Sequence, residues 1–250
     1  MRIAQLAICL SMVAVAIGAS MPAPLLAEAA SAETGATKAM IFIASASPRC
    51  GEARDKAVRR LTRMTRGSSV IMNRLRGNGS TGSYDAVVEV QGTGLKLTGR
   101  VETFRSDLGE QCVVHAYLVK ERVVAAPDPV KGKPMQAGGM KVYMLVSRKP
   151  GLSADEFDAH WAGPHARIAM ENPVPPSRYV QNVVKSSLFD APPIDGIGEQ
   201  VFTDPDYMAK RAALGPDVAA LGAADAQKFI DMKSIRVFNV DGPIAQTKSH

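Results

Sequence analysis

The sequence has little of what usually advertises chemistry. Its 250 residues hold three Cys, one Trp and four His, and aromatic residues make up only 5%. That poverty excludes a zinc ribbon with paired C-x-x-C spacing and a small disulfide-stapled scaffold. No G-x-S-x-G elbow, Cys/His nucleophile arrangement or H-E-x-x-H helix is present. The Gly-rich "RGNGSTG" lacks the strand-to-helix setting and the Lys-Ser/Thr of a phosphate loop, so it reads as a hairpin turn. Beyond the N-terminus no long apolar run recurs, and no later segment reads as a membrane span.

The N-terminus itself is distinctive. Arg2 precedes the apolar run "IAQLAICLSMVAVAIGA", and small residues follow, ending in Ala30-Ser31-Ala32. This is the layout of a secretory signal peptide over residues 1–32, cut after Ala29 or Ala32; a retained anchor is the alternative. The mature protein is then expected to be secreted or periplasmic, with no membrane association after cleavage. Removing the segment takes away Cys9 and leaves Cys50 and Cys112 in an oxidising compartment. There they can form one disulfide or persist as two separate thiols.

The formal net charge is +6. The excess concentrates in "EARDKAVRRLTRMTR" (52–66) and at Arg74 and Arg76. Aromatic residues are not interleaved with these charges and no nucleic-acid motif accompanies them, so the stretch reads as a solvated helix face. No nucleic-acid partner is expected.

Residues 125–139, "AAPDPVKGKPMQAGG", read as a Pro- and Gly-rich linker between segments 38–124 and 140–242. Each segment carries the same order of patterns. In the second, "GMKVYMLVSRK" reads as a strand, and Ser153 with Glu156 forms a capping-box signature opening a helix at "ADEFDAHW". Two strands follow ("SRYVQNVVKSSL", "DGIGEQVFT"), then helical sequence from Tyr207, then the closing strand "KSIRVFNVD". The first half matches with "KAMIFIASA", the basic helix, two strands around the Gly-rich turn, a helix over "LKLTGRVETFRSDL", and "QCVVHAYLVKERVV". The fold class is therefore α+β: two ferredoxin-like β-α-β-β-α-β repeats, whose open sheet faces cover one another. In that topology the first and last strands of a repeat are antiparallel neighbours. Cys50 after the first strand then lies near Cys112 at the start of the last, within reach of a disulfide.

The second half resembles the EthD family of the dimeric α/β-barrel superfamily. The likeness is carried by "KVYMLVSRKPGLSADEFDAHWAGPHARI", "RYVQNVV", "DGIGEQVF" and "KFIDMKSIRVFNV", and covers Met140 to Asp241. The first half looks like a diverged copy, with "RRLTRMTR" where the second has its "HW…H". The resemblance implies an intramolecular dimeric α/β barrel around a mostly apolar pocket. Superfamily members include cofactor-free monooxygenases, isomerases, polyketide cyclases or dehydratases, and some haem proteins. Related sequences often carry a His in the strand that here reads "QNVV"; this chain has Val183.

His160 and His165 flank the sole Trp, Trp161, in "FDAHWAGPHARI". Five residues on an uninterrupted α-helix amount to roughly 140° of rotation, and Gly163-Pro164 is expected to break the helix before His165. A metal pair from these two is therefore not expected. As acid/base residues they would work near neutral pH. Tyr143, Trp161, Tyr179 and Asn182 are the candidate substrate contacts. The bland alternative has His160 capping helix carbonyls while Trp161 fills the core. Asp195 and Glu199 read either as a same-face carboxylate pair or as a turn and a strand residue; His115 reads as a core or pocket-edge residue. The expected function is binding of an apolar, cyclic or aromatic small molecule, with cofactor-independent dehydration or isomerisation. The alternatives are a non-catalytic periplasmic carrier or a haem-binding relative, and the expected assembly is a monomeric pseudo-dimer or a higher homo-oligomer.

Overall fold

The computed structural model describes residues 36–65, 68–76, 84–125, 139–240 and 246–247. The signal-peptide segment 1–32, the turn at 77–82 and nearly all of the linker 125–139 lie outside the described residues. The first half forms β1 (Lys38–Ser45), α1 (Cys50–Met64), β2 (Val70–Arg76), β3 (Ala86–Gln91), α2 (Gly94–Leu108) and β4 (Cys112–Ala125). The second forms β5 (Met140–Val146), α3 (Ala154–His160), a π-helical turn (Trp161–His165), α4 (Ala166–Met170), β6 (Arg178–Leu188) and β7 (Gly196–Phe202). It continues with α5 (Tyr207–Ala213), α6 (Pro216–Phe229) and β8 (Arg236–Val240). The β-α-β-β-α-β order expected for each half is therefore present, with the second helix of the second repeat split in two.

Strand pairing runs β3-β1-β4-β6-β7-β5-β8-β2, and β2 pairs back onto β3, closing an antiparallel barrel of eight strands. Closure removes the open edges that a free sheet would present. The two seams between repeats are pseudo-equivalent, each joining the last strand of one repeat to the second strand of the other, but they differ in length. The β4–β6 seam runs from Ala116↔Leu188 to Ala125↔Tyr179 with two bulges. The β2–β8 seam has only Leu75↔Val240 and Arg76↔Asn239, and β9 (Gln246–Thr247) pairs with Val70 and Ile71 further along β2.

Because helices cover the barrel outside and side chains fill it inside, the strands are buried on both faces. This explains near-continuous apolar runs such as "KAMIFIAS". Outward-facing Ile41, Ile43, Val88 and Val90 pack on Leu61, Leu97, Val101 and Phe104 of α1 and α2. Inward-facing Met40, Phe42, Tyr117, Tyr143, Ile197 and Phe238 form the barrel core. Cys50 and Cys112 are joined as a disulfide with Cα atoms 5.2 Å apart, as the pairing of Ser45 with Cys112 makes possible.

Four charges also lie inside the barrel. Lys38 meets Glu89 at 3.1 Å and Glu199 at 3.6 Å; Lys141 meets the same carboxylates at 3.1 and 3.0 Å. Lys38 and Glu89 belong to the first repeat, and Lys141 and Glu199 stand at the corresponding places of the second. Glu89 pairs across the ladder with Met40, and Glu199 with Tyr143. The Tyr143 hydroxyl donates to Glu89, and Asn73 donates to the Tyr143 oxygen at 2.8 Å. Burial alone would push the Glu89 carboxyl up, but Lys141, Lys38 and the Tyr143 hydroxyl hold it well below the usual carboxylate range.

Candidate functional site

The site begins with a helix start that the sequence specifies locally. Ser153 Oγ accepts from the Glu156 N–H at 3.2 Å, and Glu156 accepts from the Ser153 N–H at 2.8 Å, which closes the capping box. One apolar face of α3 buries Phe157. The helix then meets Gly163-Pro164 and does not break. Residues 161–165 widen into a π-helical turn that holds Pro164, and α4 continues directly from it.

The wider turn corrects the rotation argument. With i→i+5 hydrogen bonding, residues five apart return to one side of the helix. His160 and His165 accordingly converge on one carboxylate, Asp225 of α6. His160 Nε2 lies 3.1 and 3.2 Å from its two oxygens, and His165 Nδ1 lies 3.0 Å from Oδ2. Lys228 Nζ adds a third contact at 3.2 Å. A carboxylate only accepts, so the facing ring nitrogens are the protonated ones: Nε2 of His160 and Nδ1 of His165. Both rings also pack on Phe229, at centroid distances of 4.7 and 5.0 Å.

Asp225 is 3% exposed, His165 17% and His160 25%. Burial opposes the Asp225 charge, yet the bonds from His165, His160 and Lys228 hold its carboxyl below the ordinary value. For His165 burial dominates: it pushes the imidazole below 6.5 despite the attraction of Asp225, with His160 adding in the same direction. That shift favours the neutral imidazole at pH 7, in which the proton sits on Nδ1 and the lone pair on Nε2. No hydrogen bond from a described residue engages that Nε2.

His165 forms part of the wall of a cavity of about 300 Å³ between the outer face of the second repeat's sheet and its helices. The space exists because small residues face each other across it, Gly198 on β7 and Gly222, Ala223 and Ala226 on α6. Trp161 and Tyr179 close one side. The Trp161 indole N–H donates to the Tyr179 hydroxyl at 2.9 Å, and Gln181 donates to the Trp161 carbonyl at 2.7 Å. Gly196 leaves room for the indole: a Cβ there would stand 2.4 Å from Trp161 Cζ3. The first repeat braces this wall from behind through Arg122 of β4, which donates to Gln181 at 2.8 Å and Asp158 at 2.7 Å.

The expected site residues thus separate into two groups. His165, Trp161 and Tyr179 line the cavity, and His160 stands behind His165 on the shared Asp225. Tyr143 and Asn182 face the barrel interior, on the far side of the sheet from His165. Tyr143 belongs to the interior core, and Asn182, opposite Ile197 of that core, donates to the Ile197 carbonyl at 3.1 Å. Strand alternation is the reason: Tyr143 sits one residue from the cavity-lining Met144, and Asn182 is an odd number of residues from Tyr179. Val183, where relatives often carry His, packs with Trp161 and Phe157. Asp195 and Glu199 do not pair: Asp195 binds Arg148, and Glu199 lies in the barrel. His115 bonds Tyr84 at 2.6 Å in the first repeat. Among the described residues, no three His, Cys, Asp or Glu are grouped to hold a metal ion. Asp225 escaped the sequence reading, since it lies 60 positions from His165 in a helix of small residues with no motif.

A second depression of about 410 Å³ lies over Ser147–Leu152 and Pro193–Asp195. Its one carboxylate, Asp195, is occupied by Arg148 at 2.6 Å, and no His or Tyr borders it. No helix among the described residues is long and apolar enough to cross a membrane.

The family model described as EthD domain matches residues 149–233, within the second repeat. Comparison with curated proteins found no match. Among solved structures, the chain is similar to an anthrone oxidase-like protein at 9% identity and a TM-score of 0.57, covering 87% of this chain and 95% of that one. It is also similar to a putative monooxygenase from Lactobacillus acidophilus NCFM at 8% identity and a TM-score of 0.50, covering 85% and 96%. A putative monooxygenase from Fusobacterium nucleatum gives 8% identity and 0.50, covering 86% and 95%. At these identities the likeness is one of fold.

Proposed function

We propose that this protein binds a small, largely apolar cyclic molecule in the second-repeat cavity and moves a proton on it, with His165 as the base. The observation that carries the reading is His165 itself. It stands on the wall of the cavity, its Nδ1 proton is held by a buried carboxylate, and no described residue hydrogen-bonds its Nε2. Nε2 takes a proton from an activated C–H or O–H of the ligand, and Asp225 stabilises the imidazolium that forms. Returning that proton to another ligand atom completes an isomerisation. Giving it to a departing hydroxyl group releases water and completes a dehydration.

Neither course calls for a cofactor. His160 acts as a positioning residue that helps fix Asp225, and Trp161 and Tyr179 form the wall against the ligand. Two of the similar structures are described as putative monooxygenases. Oxygenation of a ring would open with the same deprotonation, and oxygen uptake during turnover separates it from the other two courses. The reading includes export through residues 1–32 and a monomer whose repeats stand in for a dimer.

The test is deuterium exchange at the acidic α-carbon positions of 2-tetralone in D2O, followed by NMR. The wild type should accelerate exchange over buffer, and His165→Gln should return it to the buffer rate. One observation favours a second reading, a non-catalytic carrier: both imidazoles pack on Phe229, so their bonds to Asp225 would serve helix packing alone. Bound tetralone without accelerated exchange would support that reading.

A further inference from the structure

The cavity's electrostatics are one-sided. Its described lining contains one permanent cation, Arg211 of α5, and no Asp or Glu. No carboxylate of a described residue pairs with that guanidinium. Among the described residues its one hydrogen bond runs from Nη1 to the Tyr207 hydroxyl at 3.2 Å, and Tyr207 is itself held by stacking on Phe202 at a centroid distance of 3.7 Å. The neighbouring Asp204 is taken by Lys210 at 2.5 Å. A guanidinium has five N–H donors in a planar fork, so most of the Arg211 fork is uncommitted and remains solvated at the cavity rim. The rest of the lining is dominated by Met, Val, Ile, Phe and small residues.

From this juxtaposition we infer that the ligand of the cavity is an organic acid, an apolar ring bearing a carboxylate or phenolate that Arg211 receives. The inference rests on the cavity being a ligand site, as proposed above. A neutral apolar ligand would leave the guanidinium solvated and gain nothing from it, whereas an anionic oxygen gains charge-assisted bonds in a partly dry setting. Arg211 is then a specificity-determining residue. It selects the class of ligand and leaves proton transfer to His165 on another element.

The sole Trp borders the cavity, so its fluorescence reports ligand entry directly. Cyclohexanecarboxylate and cyclohexanecarboxamide, alike in shape and transparent at the excitation wavelength, are titrated against the full chain. The carboxylate should bind on the order of tenfold or more tightly than the amide. Arg211→Gln should abolish that preference, and an unchanged urea midpoint shows that the variant is folded. Arg211→Lys should restore part of it. Equal affinities in the wild type, or a preference that survives Arg211→Gln, would overturn the inference while leaving the cavity a ligand site. Titration of 4-nitrophenol in the same variants separates phenolate from carboxylate recognition by the shift of its absorbance midpoint. If none of these probes alters Trp161, both the inference and the ligand-site reading fall. If the carboxylate preference holds and tetralone exchange does not, only the catalytic reading falls.

Discussion

His165 and Asp225 stand 3.0 Å apart, although they are 60 residues apart in the chain and belong to different helices. The contact exists because a π-helical turn swings His165 onto the side of the helix that already holds His160. Both histidines then share one carboxylate, but only His165 borders the cavity.

That asymmetry predicts unequal effects of substitution. His165→Gln should lower proton-transfer rates by about 10²–10⁴-fold. His160→Gln should cost less, since Asp225 keeps its bonds to His165 and Lys228. Measuring tetralone exchange in both variants checks the ranking, and equal losses would contradict it.

The depressed pKa of His165 sets a pH dependence. Only the neutral ring accepts a proton, so exchange should fall as pH drops through a midpoint lying below 6.5. Stability shifts in the same sense. The unfolded chain binds the His165 proton more readily, so this group's contribution is fully present above about 6.5 and is lost as pH falls below it. A pH–rate profile for the wild type and His165→Gln checks the assignment, because the acid limb should disappear with the imidazole.

Gly196→Ala should displace the indole of Trp161, since the new methyl would meet the ring at 2.4 Å. Overpacking of this kind costs about 1–3 kcal/mol. The emission maximum of the sole Trp and a urea midpoint would record the displacement and the cost together. An unchanged spectrum would show that the ring relaxes without leaving its hydrogen bond to Tyr179.

The four charges inside the barrel are a shared device of both repeats. Lys141→Met leaves Lys38, which also holds Glu121, as the one cation shared by Glu89 and Glu199, and breaking a buried pair in this way costs about 3–5 kcal/mol. The double variant Lys141→Met with Glu199→Leu should recover much of that loss. Glu89, held below the carboxylate range, contributes stability that is present above its unfolded pKa near 4.5 and is lost as pH falls below it. Urea unfolding of the variants across pH 3 to 7 measures both effects.

Much of the fold was legible because its determinants are local. Strand runs, the Ser153–Glu156 capping box and the repeated element order all follow from neighbours in sequence. The pairing of Cys50 with Cys112 followed from topology once that order was in hand. The site was legible only in part. Tyr143 and Asn182 were placed near His165 by their proximity in the fold, but which face of a strand meets the helices is decided by packing on both sides of the sheet. Here both faces are buried, so polarity alone gave no sign. Pro164 signalled a helix break, and tertiary contacts converted that signal into a π turn. Asp225 carried no local mark, because its partners come from the other end of the repeat.

Proton transfer in the cavity depends on the state of one imidazole. Protein labelled with 15N-histidine, observed at pH 7 with and without cyclohexanecarboxylate, tests it most directly. His165 should appear as the neutral Nδ1–H tautomer, with an unprotonated Nε2 whose resonance moves when the ligand binds. An imidazolium at pH 7, an Nε2–H tautomer, or an Nε2 resonance indifferent to bound ligand would contradict it.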